Sequence, residues 1–490
     1  MTPNRSGARF AGRSAALCLL ALIMLPSVAG ASSTTVEQAL EQVLSEALVA
    51  NLELRAQDAT VQQRLAALDQ ARARYLPALD FVARYSVADG GRTLDVPLGD
   101  LLNPVYSTLD ELLVAGGQPP QFPRVKNEQI AFLRPQEQET KFVLEQPLYA
   151  PRIGAAVQAR GHELASVEAG QAALRARVIR DTKQAYYRWI AAQQAVAVLS
   201  ATRELAETNV RANESLYRNG RITRDVVFRA EADLLEIEQQ TIAADSGVRI
   251  AQSYVNLLRN RPLAEPLPGS SIDDETVLRF RNRFIERLAG RPLDLPLLQD
   301  LAADRRAELR RLDAAVAAGE AGEDLARAEF KPTLALGAEA GIQGEDYGFG
   351  ADERYVLAAV ILRWQTFRGG GNRAALREAR ALTEQLRATR ELAEQQVRLE
   401  VQQALESLQV SDASLETAAK RNEAAAGSFR IASRKRDLGQ INQAEFIDAR
   451  RAMTDAQLNL TRVRAELLAR LAELEFAVGS PRVASQEFLP

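Results

Sequence analysis

The chain carries one long segment twice. Ala71-Arg72-Ala73-Arg74-Tyr75-Leu76-Pro77-Ala78-Leu79 returns as Ala326-Arg327-Ala328-Glu329-Phe330-Lys331-Pro332-Thr333-Leu334. Leu216-Tyr217-Arg218-Asn219-Gly220-Arg221-Ile222 is echoed by Arg436-Asp437-Leu438-Gly439-Gln440-Ile441. A repeat on this scale sets the architecture before any single residue does. It predicts two similar halves, each a helix-strand-strand-helix-helix unit.

Around each proline the hydrophobic period changes. Residues 32–76 and 301–330 carry helical spacing, with Ser33 to Arg74 reading as one helix. Beyond Pro77 the period is two: Leu79, Phe81, Ala83, Tyr85 and Val87 share one face, and Asp80, Arg84 and Ser86 the other. A partner strand is predicted over Thr140–Tyr149, and a second hairpin within 331–368, with strands Thr333–Ile342 and Tyr355–Trp364. Each strand has about ten residues, the length that crosses a bilayer when tilted. Pro77, Pro147 and Pro332 mark helix–strand junctions.

Proline-free stretches follow, Ala155–Arg218 and Arg373–Asp437, with apolar residues in a three-four-seven rhythm. At about 1.5 Å per residue each spans ~95 Å, and such recurrence packs helices side by side. Gly220 and Gly439 end these helices, and shorter helices Thr223–Arg259 and Gln443–Val478 run back. The helical hairpins thus occupy 150–260 and 369–479. The connector 261–300 carries five prolines and a small helix near Val277–Leu288, and 480–490 is a tail.

The repeat offset locates an insertion. Pro77 to Pro332 is 255 positions, but Tyr149 to Phe367 is only 218, so 37 extra residues lie inside the first strand pair, 77–149. They fall in 88–139, a Gly- and Pro-rich loop with a short helix near Leu109–Val114.

Residues 1–31 read as a cleaved signal peptide: Arg5, Arg9 and Arg13, an apolar run from Ala15 to Leu25, then Ala29-Gly30-Ala31. Cys18, the only cysteine, lies within it, so no disulfide or cysteine metal site is expected in the exported chain. Loss of three arginines takes the net charge from −3 to −6, against a nucleic-acid partner. His162, the only histidine, reads as solvated, and Gly369-Gly370-Gly371-Asn372 as a strand-to-helix turn lacking the Lys-Ser/Thr of a phosphate loop. Neither an enzyme nor a cofactor is expected.

This set of features resembles the TolC-like family of outer-membrane efflux proteins. The resemblance rests on the junctions ending at Pro77 and Pro332 and on the strand exits Gln146-Pro147-Leu148-Tyr149 and Trp364-Gln365-Thr366-Phe367-Arg368-Gly369-Gly370. It rests also on the glycine turns, and on Asn51-Leu52-Glu53-Leu54 and Arg306-Ala307-Glu308-Leu309, which resemble the family's helix-opening motifs with its proline replaced. The resemblance implies a mainly α-helical protein with a membrane β-barrel part and a homotrimer. Each subunit would lend four strands to a twelve-stranded barrel in the outer membrane and its coiled-coil helices to a periplasmic α-barrel. It implies a passive, periplasmically gated exit for efflux or type I secretion, working with a periplasmic adaptor and an inner-membrane pump of RND or ABC type. Elementary physics points the same way, since open sheet edges are not tolerated in lipid and four strands cannot close a channel.

The family carries acidic residues at its constriction, and Glu445 and Asp448 take those places here, sharing one helix face. Three copies of each would attract cations and make closure sensitive to pH and salt; a solvated surface pair is the competing account. In the first half Val226 and Arg229 stand at the matching positions. Arg218, Arg221 and Arg224, with Arg434, Lys435 and Arg436, make both tips basic, for salt bridges to the gate acids, for an adaptor, or for solubility alone. A periplasmic coiled coil with a small soluble β-domain is the alternative to the channel.

Overall fold

The structure is a computed structural model that describes residues 35–287 and 293–479. The predicted signal peptide with Cys18, the end of the predicted connector helix at Leu288, and the tail 480–490 lie outside the described residues.

The two halves follow one plan. In the first, α1 (Val36–Ala50), α2 (Leu52–Ala73), β1 (Ala78–Val87), β4 (Gln136–Tyr149), α4 (Pro151–Arg218) and α5 (Arg224–Leu258) succeed one another. Between β1 and β4 lie β2 (Thr93–Val96), α3 (Leu98–Ala115) and β3 (Glu128–Ala131). After α6 (Asp274–Arg287) the second half runs α7 (Leu295–Arg305), α8 (Ala307–Ala328), β5 (Thr333–Gly344), β6 (Arg354–Arg363), α9 (Gly371–Asp437) and α10 (Gln443–Ala477). The long helices α4 and α9 have 68 and 67 residues, or roughly 100 Å each.

Three readings of the sequence need correction. The single helix over Ser33–Arg74 is two, because Asn51 is extended (φ −58°, ψ 128°) and its side-chain oxygen accepts from the Glu53 and Leu54 amides, starting α2 afresh. In the second half, α7 begins at Leu295, inside the stretch read as connector, and breaks at Arg306 (φ −65°, ψ 121°). The stretch read as the loop 88–139 holds the β2–β3 hairpin, the 18-residue helix α3 and the first residues of β4.

The two breaks are repeat partners and do the same work. The Asn51 Nδ2 donates to the Leu258 carbonyl at 3.0 Å, and the Arg306 Nη1 donates to the Ala477 carbonyl at 3.2 Å. Each thereby satisfies one of the terminal carbonyls that α5 or α10 would leave orphaned. Arg306 also bonds Glu308 and Glu400 and lies 4.5 Å over the Phe476 ring.

The four main strands form one antiparallel sheet in the order β1-β4-β5-β6. The core lies away from this sheet, among the helices, in two large clusters. One gathers Val43, Tyr186, Trp189, Ile190, Ile272 and Leu468, and the other Leu298, Leu309, Val401, Leu405 and Leu474. Burial of each such side chain contributes ~1.5–3 kcal/mol.

Candidate functional site

Two regions follow from this frame, the sheet and the tips of the helical hairpins. In the sheet, register puts Leu79 opposite Leu144 and Phe81 opposite Phe142, and continues that face through Ala338 and Ala340 to Ala358 and Val356. Leu79, Phe81, Val356, Val360 and Leu362 on this face are all exposed, Val356 by 83%. The opposite face is charged. Lys141 bridges Glu139 and Glu339, both at 2.9 Å, Arg84 reaches Glu139 at 3.2 Å, and Gln343 donates to Glu137. Gly341, between Lys141 and Tyr355 in register, leaves room for this network; a Cβ there would collide with the Thr140 carbonyl oxygen.

Exposed aromatics gather at both ends of the strands: Tyr75, Tyr149, Phe330, Trp364 and Phe367 beside the helices, and Tyr85, Tyr347 and Phe349 at the far end. An apolar band between two aromatic girdles is the surface of a membrane barrel. Both edge strands, β1 and β6, lack an outer partner among the described residues. Inside a bilayer such unpaired edges would not be tolerated, so a sheet of this kind placed there would need further strands.

The two junctions place a side-chain donor on the same backbone carbonyl, though the donor groups differ. The Gln146 Nε2 donates to the Tyr75 carbonyl at 2.9 Å, and the Trp364 Nε1 donates to the Phe330 carbonyl at 3.1 Å. Pro77 and Pro332 follow these aromatics and open β1 and β5, whereas Pro147 sits within β4 beside a register irregularity against β5.

At the tips both long helices end in the same double-bonded turn. Gly220 (φ +69°) donates to the Tyr217 carbonyl and Arg221 to that of Leu216; Gly439 (φ +68°) donates to Arg436 and Gln440 to Lys435. This is the Schellman arrangement, whose left-handed residue favours glycine. Asn442 then caps α10 through the Glu445 amide at 2.9 Å.

Glu445 and Asp448 are exposed on the first turns of α10, and among the described residues neither carboxylate forms an ion pair within the chain. The tip bases are not drawn to them. Arg436 lies 4.2 Å over the Phe446 ring and bonds Asp437 and Asn209, and Arg224 lies over Phe228. Arg218, Arg221, Arg434 and Lys435 are exposed. His162 is exposed on α4, and Gly369 and Gly370 form the strand-to-helix turn before α9 with φ of +60° and +87°.

Sequence reasoning missed the strongest polar contact near the tips. Arg450 of α10 donates to Asp233 of α5 at 2.8 Å, with side chains only 4% and 2% exposed. Arg451 adds a second bond to Asp233 and one to Glu236. The available signal was a charge on an apolar rhythm: Asp233 falls among the buried Val227, Ala230 and Ile237, and Arg450 among Phe446, Ile447 and Thr454.

Among the described residues no cluster of His, Cys, Asp and Glu could hold a metal, and no helix is long and apolar enough to cross a membrane.

Comparison with known proteins finds a family match in the second half of the chain and a fold over nearly all of it. Residues 298–480 match the outer membrane efflux protein family. A stretch of 173 residues is 33% identical to Protein CyaE of Bordetella pertussis, which is 35% of this chain and spans 36% of that protein's length. Over nearly its whole length the chain has the fold of solved outer-membrane channels. The Campylobacter jejuni CmeC outer membrane channel superposes with a TM-score of 0.72 at 15% identity, covering 92% of this chain and 87% of that one. The open state of the Neisseria gonorrhoeae MtrE outer membrane channel gives 0.69 at 18% identity, covering 91% of each.

Proposed function

We propose that this chain, which carries an outer membrane efflux protein domain on the fold of the outer-membrane channels, is the passive exit duct of a tripartite export system. The family is one of transport channels and not of enzymes. Three copies close a twelve-stranded barrel through their free β1 and β6 edges, and α4, α5, α9 and α10 of each copy line a periplasmic tunnel. A periplasmic adaptor and an inner-membrane pump of RND or ABC type supply cargo and energy, for efflux or type I secretion. Outer-membrane lipid covers the Phe81–Val356 face.

The observation that carries this reading is the sheet itself: one exposed apolar face bounded by aromatics, one charged face, and two unpaired edges. A soluble periplasmic coiled coil would leave that apolar face against water, which disfavours the alternative. Glu445 and Asp448, three copies of each, form the periplasmic gate.

Detergent extraction from outer membranes tests the assembly. Light scattering should give three chain masses, and gel migration should shift on heating. A monodisperse monomer stable in water without detergent would overturn the channel reading.

A further inference from the structure

The charged face of the sheet does more than tie neighbouring strands. Its bonds run across all four of them. Arg84 of β1 reaches Glu139 of β4, and Lys141 of β4 reaches Glu339 of β5. Gln343 of β5 donates to Glu137 of β4 at 2.8 Å, and the Tyr355 Oη of β6 donates to Glu139 at 3.3 Å. Register keeps these side chains on one side of the sheet, over residues 137–143 of β4, roughly 20 Å of strand.

These bonds are made without charge balance. Two of the donors, Gln343 and Tyr355, are neutral. The acids Glu137, Glu139 and Glu339 therefore face only the bases Arg84 and Lys141, three against two, which leaves one negative charge in each chain. Ties between strands need no such excess. Nearer the helices the same face carries Asp80 and Glu145 against Arg363, so nothing there compensates it. Lys141 is the base that Glu139 and Glu339 share, at 2.9 Å from each.

We propose that this network forms a second charge filter, in the barrel lumen, and that Lys141 sets how strongly it favours cations over anions. The inference rests on the trimeric channel reading above, in which the Phe81–Val356 face meets lipid and the charged face meets water. Twelve strands at ~4.8 Å spacing and ~40° tilt enclose a backbone radius of ~12 Å. Side chains shorten the distance to the axis, and the screening length at ~0.1 M salt is ~10 Å, so the ring acts across the lumen. Three copies carry three negative charges. Lys141→Gln takes the ring to six negative charges, and Glu139→Gln with Glu339→Gln turns it to three positive ones. The acids at 445 and 448 lie roughly 100 Å of helix away, many screening lengths, so the two filters act separately.

Planar-bilayer recordings of the full chain test this, in a roughly tenfold KCl gradient centred near ~0.1 M. Glu445→Ala and Asp448→Ala are present throughout, so that the gate acids contribute nothing. Relative to that parent, Lys141→Gln should raise the potassium-to-chloride permeability ratio at least about twofold, and Glu139→Gln with Glu339→Gln should lower it at least about twofold. The native mass of each protein is read in parallel. Trimeric channels with the parent's ratio in both variants would overturn the lumen filter and leave the channel standing. Loss of the trimer in both variants, with the parent intact, would make the network a strand tie alone and also overturn the filter. A parent that is monomeric and silent in the bilayer would overturn the channel reading itself.

Discussion

Removal of Asp233 should loosen the lower ends of the two helical hairpins from each other. Asp233→Ala leaves Arg450 inside the α5–α10 contact with its nearest carboxylate gone, and its Nε already lacks a partner. An uncompensated charge of this kind costs ~3–5 kcal/mol when one partner of a buried pair is deleted. Arg451 is 46% exposed and retains Glu236, so its share of the loss is small. If the cost falls on local opening, ~3 kcal/mol corresponds to roughly 150-fold faster amide exchange. Hydrogen exchange read by mass spectrometry on the intact channel should place that acceleration in α5 near Asp233 and α10 near Arg450, with α1 and α4 near Trp189 unchanged. The double variant Asp233→Leu/Arg450→Met should restore protection, since well-packed apolar groups often replace a buried ion pair without loss. Exchange in the single variant within about threefold of wild type would refute the idea that this pair clamps the hairpins.

Other perturbations follow from the same geometry. Glu445→Ala with Asp448→Ala should lower cation selectivity in single-channel recordings, and an unchanged reversal potential would remove these residues from the gate. Burial pushes the Glu46 carboxyl up, but hydrogen bonds from Arg259 and Gln42 and the charges of Arg259 and Arg261 outweigh it and hold the group below its ordinary 4.5. A depressed carboxyl stabilises the fold above the unfolded-state value and loses that contribution as pH falls through the folded one. Protection of α1 should therefore drop below about pH 4.5 in wild type and show a flatter profile in Glu46→Gln. Gly341→Val should reduce assembled trimer in outer membranes severalfold, because its Cβ meets backbone on β4 and cannot be relieved by a rotamer change.

Much of this architecture was written in punctuation. The proline junctions and glycine turns appear twice because the same backbone geometry is needed twice, and the strands announce themselves by a period-two pattern that starts at each proline. The break at Asn51 was hidden because one extended residue barely disturbs an apolar rhythm that runs from Ala47 through Leu54. α3 was largely obscured by Pro104 inside it and the glycines and prolines around it, which read as loop when taken alone. Asp233 and Arg450 were invisible for another reason. A charge on a helix reads as solvated unless its partner on a distant helix is known. The acids at 445 and 448 could be placed on one helix face from spacing alone.

If three copies assemble as proposed, the matched turns at Gly220 and Gly439 have a consequence for any protein that docks on the lower rim. The two turns share one backbone shape, yet the first leads into Thr223-Arg224-Asp225 and the second into Asn442-Gln443-Ala444-Glu445. In a trimer the lower rim would therefore be sixfold in form and only threefold in charge. A docking protein built of six like units could fit every notch, but it would find alternate notches electrically unlike, and so would settle in pairs.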